Sequence, residues 1–269
     1  MAQAEVPKEL VVPMDNIAEG IIGLRIAFVN VFGVLHADRS WTLIDAGIPF
    51  SASAIRSWAE RHFDGPPLAV VLTHGHFDHV SGAADLAGHW DVPIYAHPLE
   101  SPYLKGTKEY PPPRVGAGGG LMSVLSPMYP RGPVDLGGRL RLFSSDSELN
   151  ELPNWQMIHT PGHTPGHVSF FRPADHTLIV GDAFCTTKPE SFFDAALAQP
   201  PELHGPPAYF TDDPVKAALS IRELAALRPR IVAPGHGRPL AGLEVEQKLA
   251  AFAAEFESET RPRTIRKAS

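Results

Sequence analysis

Seven consecutive residues, Thr73-His74-Gly75-His76-Phe77-Asp78-His79, limit what this chain can build. They follow the apolar run Leu68-Ala69-Val70-Val71-Leu72, the mark of a strand buried on both faces. A short helix is predicted just after them, over 81–88. Three imidazoles and a carboxylate therefore fall on the turn at the carboxyl end of a strand, where open α/β sheets bind ligands. Neutral imidazole and carboxylate are donors that zinc takes. His74 and His76, two apart on an extended backbone, point the same way and can share one ion. Asp78 and His79, farther round the turn, can hold a second. A lone histidine reads as a hydrogen-bonded surface or core residue. Four ligand-type side chains within six residues after a buried strand read as a metal site.

Composition narrows the chemistry. The chain has 269 residues, with 13 histidines against one cysteine. No intramolecular disulfide can form, and no thiolate cage can hold the metals. Nitrogen and oxygen donors point instead to an open catalytic site. The formal charge of -7 gives no general attraction to nucleic acid or to anionic membranes. The most apolar stretch, 21–35, is interrupted by Arg25 and Asn30 and is too short for a bilayer core of about 30 Å. No basic, then apolar, leader opens the chain, so a cytoplasmic protein is expected. The basic residues Arg261, Arg263, Arg266 and Lys267 read as a solvated tail over 258–269.

Strands and helices alternate along the chain, which gives an α/β class. Strands are predicted at 21–35, 40–45, 68–73, 93–96, 139–143, 155–159, 168–171, 177–180 and 231–233. Helices are predicted at 51–63, with Ser51 as its cap, and after Asp213-Pro214. A last amphipathic helix carries Val245, Leu249, Phe252 and Phe256 on one stripe. Two stretches, 98–133 and 185–207, are crowded with Pro and Gly and read as irregular. The first is long enough to be a covering loop. A single domain over 1–269 is expected.

Further ligand-type residues sit at strand ends beside glycine. His163 lies in Thr160-Pro161-Gly162-His163-Thr164-Pro165-Gly166-His167, Asp182 in Gly181-Asp182-Ala183, and His236 in Pro234-Gly235-His236-Gly237. His167 can act beside the site or simply hydrogen-bond on a sheet face. Cys185 is assigned no role.

In this order, together with Leu43-Ile44-Asp45-Ala46-Gly47 upstream, these motifs resemble the metallo-β-lactamase-fold hydrolase superfamily from about residue 20 to about residue 240. The resemblance implies a four-layer αββα sandwich, two mixed β-sheets flanked by helices. It implies one ion held by His74, His76 and His163, a second held by Asp78, His79 and His236, and Asp182 bridging both. Asp45 would orient a ligand. The ions would be two divalent metals, zinc by preference, with iron and manganese also suited to the donor set. A metal-bridging hydroxide would attack the substrate, and Asp78 would pass its proton to the leaving group.

Departures from the pattern sort the subfamilies. A bridging Asp182 argues against β-lactam hydrolysis. Only about 32 residues follow Gly237, short of the helical region of glyoxalase-II-like members. The acidic balance disfavours the nucleases, and His76 disfavours flavodiiron proteins. Lactonases and ester or thioester hydrolases remain. The 98–133 stretch offers Tyr103, Tyr110, Leu121, Met122, Leu125, Met128 and Tyr129 as an apolar lining, and a second segment offers Phe192, Phe193, Tyr209 and Phe210. In lactonases of this fold a tyrosine beside the metals assists the carbonyl oxygen, and by order along the chain the resemblance makes Tyr209 the candidate. The expectation is a metal-dependent hydrolase of a small-molecule acyl substrate, with no nucleic-acid or membrane partner and a homodimer left open. A phosphodiesterase on the same ions, an iron-dependent oxygenase or redox protein, and a metal-binding protein without turnover are the alternatives.

Overall fold

The computed structural model describes residues 5–132, 134–144 and 149–261. Two sheets face each other. The first has seven strands in chain order: β1 (Val11–Ala18), β2 (Ile21–Ile26), β3 (Val29–Leu35), β4 (Trp41–Ile44), β5 (Val70–Val71), β6 (Ile94–Ala96) and β7 (Leu140–Leu142). Its first four strands pair antiparallel, and β4 to β7 pair parallel. The second sheet runs β12 (Leu240–Ala241), β11 (Ile231–Pro234), β10 (Thr177–Gly181), β9 (Val168–Arg172), β8 (Gln156–His159), with only β10 and β11 parallel.

Alternation along the strands makes three apolar layers. Phe32, Val34, Ile44 and Val71 of the first sheet meet Val168, Phe170, Ile179 and Ala233 of the second between the sheets. The opposite faces are covered by helices. Leu43, Val70 and Leu72 pack under Ile55 and Trp58 of α1 (Ala52–His62) and Leu86 of α3 (Ala83–Trp90). Leu178, Val180 and Val232 pack under Ile221 and Leu224 of α6 (Pro214–Ala226) and Leu249 of α7 (Glu244–Thr260). The result is the expected αββα sandwich. Each fully buried Val, Leu, Ile or Phe in these layers contributes about 1.5–3 kcal/mol of transfer free energy. The run 68–73 sits as predicted: Val70 and Leu72 face one core, Ala69 and Val71 the other.

Several local expectations are corrected. The stretch 21–35 is a hairpin, not one strand; the chain reverses at Ala27 and Phe28, with Ala27 at φ +57°. No Gly or Pro marks that turn, so the apolar run hides it. Strand β1 was missed because Pro13 and Asp15 break its pattern. The helix predicted over 81–88 is α3, shifted by two residues, and a further short helix, α2 (Phe77–Val80), precedes it, so Asp78 and His79 lie in a helical turn rather than on an open one. Ser51 precedes α1 without capping it, its hydroxyl donating to Ile48 O. Asp213 does cap α6, accepting from the N–H groups of Val215 and Lys216. The covering stretch is partly helical, with α4 (Ser101–Leu104) and α5 (Gly120–Leu125); its last residue, Pro133, lies outside the described residues. The 185–207 stretch, expected to be irregular, holds one π-helical segment, Phe193–Ala198. Helix α7 runs to Thr260, into the expected tail; Arg263, Arg266 and Lys267 lie outside the described residues. Among the described residues no helix is long and apolar enough to cross a membrane.

Candidate metal centre

Four strand ends deliver the ligand-type side chains to one edge of the sandwich. The turn after β5 and helix α2 carry His74, His76, Asp78 and His79. The β8–β9 turn carries His163, the end of β10 carries Asp182, and the end of β11 carries His236. All seven are buried. They form three overlapping groups whose potential ligand atoms lie within 4.8 Å of one another: His74, His76 and His163; His74, His79 and Asp182; and Asp78, His79 and His236. Asp182 reaches members of both triads implied by the resemblance. Its Oδ2 is 3.5 Å from His163 Nε2 and 3.0 Å from His236 Nε2, and its Oδ1 is 3.4 Å from His79 Nε2. Gly235 must be glycine here, because a Cβ would sit 2.1 Å from Asp182 Oδ1.

Neighbouring groups fix which ring nitrogens face inward. His79 Nδ1 donates to Asp45 Oδ2 at 2.8 Å. The Thr73 hydroxyl also donates to Asp45 Oδ2, at 2.9 Å, and so accepts from His74 Nδ1 at 3.0 Å. His236 Nδ1 donates to Phe28 O at 2.8 Å, which ties the β2–β3 turn to the site. The inward Nε2 atoms of His74 and His79, and Asp182 Oδ1, are buried and make no hydrogen bond. Buried polar atoms are normally satisfied. Asp78 and Asp182 also pair only with histidines among the described residues; no Lys or Arg balances them. Two buried carboxylates need cationic partners. Orphaned imidazole nitrogens facing carboxylates that only histidines balance form a donor set that fits divalent metal ions.

Titration divides the rings into two sets. Burial holds His74 and His163 well below the ordinary imidazole range and His76 at about 3, so these rings are neutral donors at pH 7. Burial also opposes charge on His79 and His236, but the carboxylate of Asp182, with that of Asp78, outweighs it and raises both. Burial similarly opposes the Asp182 carboxylate, and His236 and His79 outweigh it, holding Asp182 well below its usual range. Asp78 is shifted up by burial.

The sequence expectations can be placed individually. Tyr209 is buried and lines a space of about 10 Å³ above the cluster, beside Tyr129, Phe210, Asp78 and Asp182. An adjoining cavity of about 330 Å³ runs from His76 between Tyr110, Pro111 and Arg114 on one side and Phe210 and Asp212 on the other. Cys185 is buried, and burial pushes its thiol up, which makes it a poor nucleophile. His167 belongs to the scaffold of the site: its Nε2 accepts from Asp182 N at 2.8 Å, so its Nδ1 donates to Thr160 Oγ1 at 2.8 Å. In the sequence, Asn30 is only a polar break in an apolar run. It is fully buried and donates to Pro234 O and Gly237 O, binding β3 to the His236 loop. A buried polar residue inside an apolar strand was the available signal.

A family model described as the Metallo-beta-lactamase superfamily matches residues 26–236. The chain is 42% identical to the Probable metallo-hydrolase YflN of Bacillus subtilis over 90% of its own length and 92% of that protein. It is 29% identical to the Hydroxyacylglutathione hydrolase GloC of Haemophilus influenzae, over 42% of this chain and 48% of that protein. Its structure superposes on that of the BLEG-1 B3 metallo-beta-lactamase with a TM-score of 0.59 at 25% identity, covering 82% of this chain and 92% of that one.

Proposed function

The chain belongs to the metallo-beta-lactamase superfamily, and on that premise we propose that it hydrolyses a carboxylic ester, lactone or thioester of a small molecule. The observation that carries this reading is the set of seven buried His and Asp side chains in three overlapping groups. His74, His76 and His163 would hold one divalent ion, Asp78, His79 and His236 a second, with Asp182 shared. When bound, such ions lower the pKa of water and polarise an acyl oxygen.

The chain's own residues supply the rest. Asp78 lines the small space above the cluster, and its Oδ2 is 3.4 Å from His236 Nε2. It takes the proton of the attacking water and returns it to the leaving oxygen or sulfur. Water's oxygen forms the new bond to the acyl carbon, the acyl–heteroatom bond breaks, and the products are a carboxylic acid and an alcohol or thiol. Burial and the Asp78 carboxylate raise the Tyr209 phenol well above its usual range. Tyr209 therefore keeps its proton at neutral pH and can donate to the acyl oxygen. The cavity beside His76 gives an acyl or leaving group an aromatic and proline wall.

The thioester arm has support from the hydroxyacylglutathione hydrolase relative, whose named substrate class is a thioester. The test is a panel of an aryl ester, a lactone, an acyl thioester and a bis-aryl phosphodiester. Turnover of one of the first three, well above the phosphodiester, supports the proposal. Preference for the phosphodiester overturns the acyl assignment.

A further inference from the structure

Glu100 follows β6, in a Pro-Leu-Glu turn that nothing in the sequence marks as functional. It is fully buried. Its Oε2 accepts from Gly75 N at 3.0 Å and from the Tyr110 hydroxyl. Its Oε1 accepts from Thr164 Oγ1 at 2.8 Å and from Gly166 N at 2.7 Å. Gly75 sits between His74 and His76, while Thr164 directly follows His163. The first loop hangs from one sheet and the second from the other.

We propose that Glu100 is a positioning residue that fastens the His74–His76 loop to the His163 loop and fastens both to the covering segment through Tyr110. The proposal rests on the metal-centre reading above. Several observations converge on it. A carboxylate offers about four lone-pair sites, and all four are taken by these donors. Glu100 therefore has no site left to accept a substrate proton and can act only through what it holds. Burying a carboxylate is costly unless it is fully hydrogen-bonded; here all four donors meet it, and an apolar side chain in its place would leave those buried donors without partners. Both glycines are shaped to it. A Cβ on Gly75 would lie 2.5 Å from the Tyr110 hydroxyl oxygen, and one on Gly166 would lie 2.8 Å from Glu100 Cγ. The Gly between the first two histidines and the second Pro-Gly of the 160–167 segment thus have a shared purpose. Tyr110 carries the clamp outward: its ring stacks on Tyr103 at 3.9 Å and lies 4.5 Å from the His76 ring.

Glu100→Gln tests this with little change of shape. An amide has one acceptor oxygen, so it can serve one loop while its NH₂ faces the N–H donor of the other. The readouts are zinc affinity by competition with a chromophoric chelator, the absorption spectrum of the cobalt(II)-loaded protein, and the urea midpoint of the metal-free protein. The expected result is zinc affinity weakened about 10–100-fold in the variant, with an altered cobalt spectrum. A role in fold stability alone would lower the urea midpoint and leave affinity and spectrum as in the parent, which overturns the proposal while the metal-centre reading stands. If the parent itself takes up neither zinc nor cobalt, both fall. Should Glu100→Gln not fold, Thr164→Val removes one of the four bonds. Weakened zinc affinity in that variant supports the clamp, and unchanged affinity overturns it.

Discussion

His79 Nδ1 donates to Asp45 Oδ2 at 2.8 Å, with both side chains buried. The same carboxylate oxygen holds the Thr73 hydroxyl, which in turn orients His74. One residue thus sets two imidazoles that belong to different proposed ligand triads. Asp45 does so from a left-handed backbone, at φ +62°, a conformation that costs energy in a non-glycine residue. Asp45→Ala is expected to weaken metal binding about 10–100-fold. Chelator competition on the folded variant checks it; parental affinity would remove Asp45 from the account.

Asp78 is given two roles, ligand and proton carrier. Asp78→Asn keeps its size but carries no proton between water and leaving group. Its kcat is expected to fall by about 10²–10⁴-fold, the usual contribution of a positioned acid–base group. Metal content measured on the same sample separates the roles. Unchanged turnover with both metals bound would contradict the proton-carrying role.

Tyr209→Phe removes one hydroxyl from the wall of the site. If that hydroxyl steadies charge on the acyl oxygen, kcat falls on the order of 10-fold or more while KM changes little. A rise in KM alone would make Tyr209 a wall residue only.

The grouping of the candidate site is legible in the sequence because residue types able to ligate metal recur at strand ends. Those residues stand in short local motifs. What lay between motifs was harder to read. Glu100 and Asn30 act across the sandwich, on loop partners as far as 207 positions away, and no local spacing reports such contacts. The fold followed the same division. Buried runs such as 68–73 announced themselves by unbroken hydrophobicity, whereas the Ala27-Phe28 reversal was hidden inside one.

A pH effect is expected away from the cluster. His97 stacks on His159 at 4.3 Å, and its Nδ1 accepts from Leu99 N at 3.2 Å. Burial, then the His159 ring, lowers its pKa from 6.5 to about 4. The folded protein therefore resists protonating His97 where the unfolded chain does not. This group's contribution to stability is whole above pH 6.5 and is lost as pH falls from 6.5 toward 4. His97→Gln retains an acceptor without the titration. Urea midpoints across that window should fall less steeply in the variant. Parallel curves would contradict the assignment.

The central question is whether this histidine and aspartate cluster holds metal that the reaction needs. The direct measurement is elemental analysis of the purified protein, paired with hydrolysis of its best acyl substrate before chelation, after chelation and after adding metal back. About two divalent ions per chain are expected, as in two-metal hydrolytic sites, with activity lost when they are removed and restored on their return. Full acyl hydrolysis by protein stripped of metal would contradict that expectation.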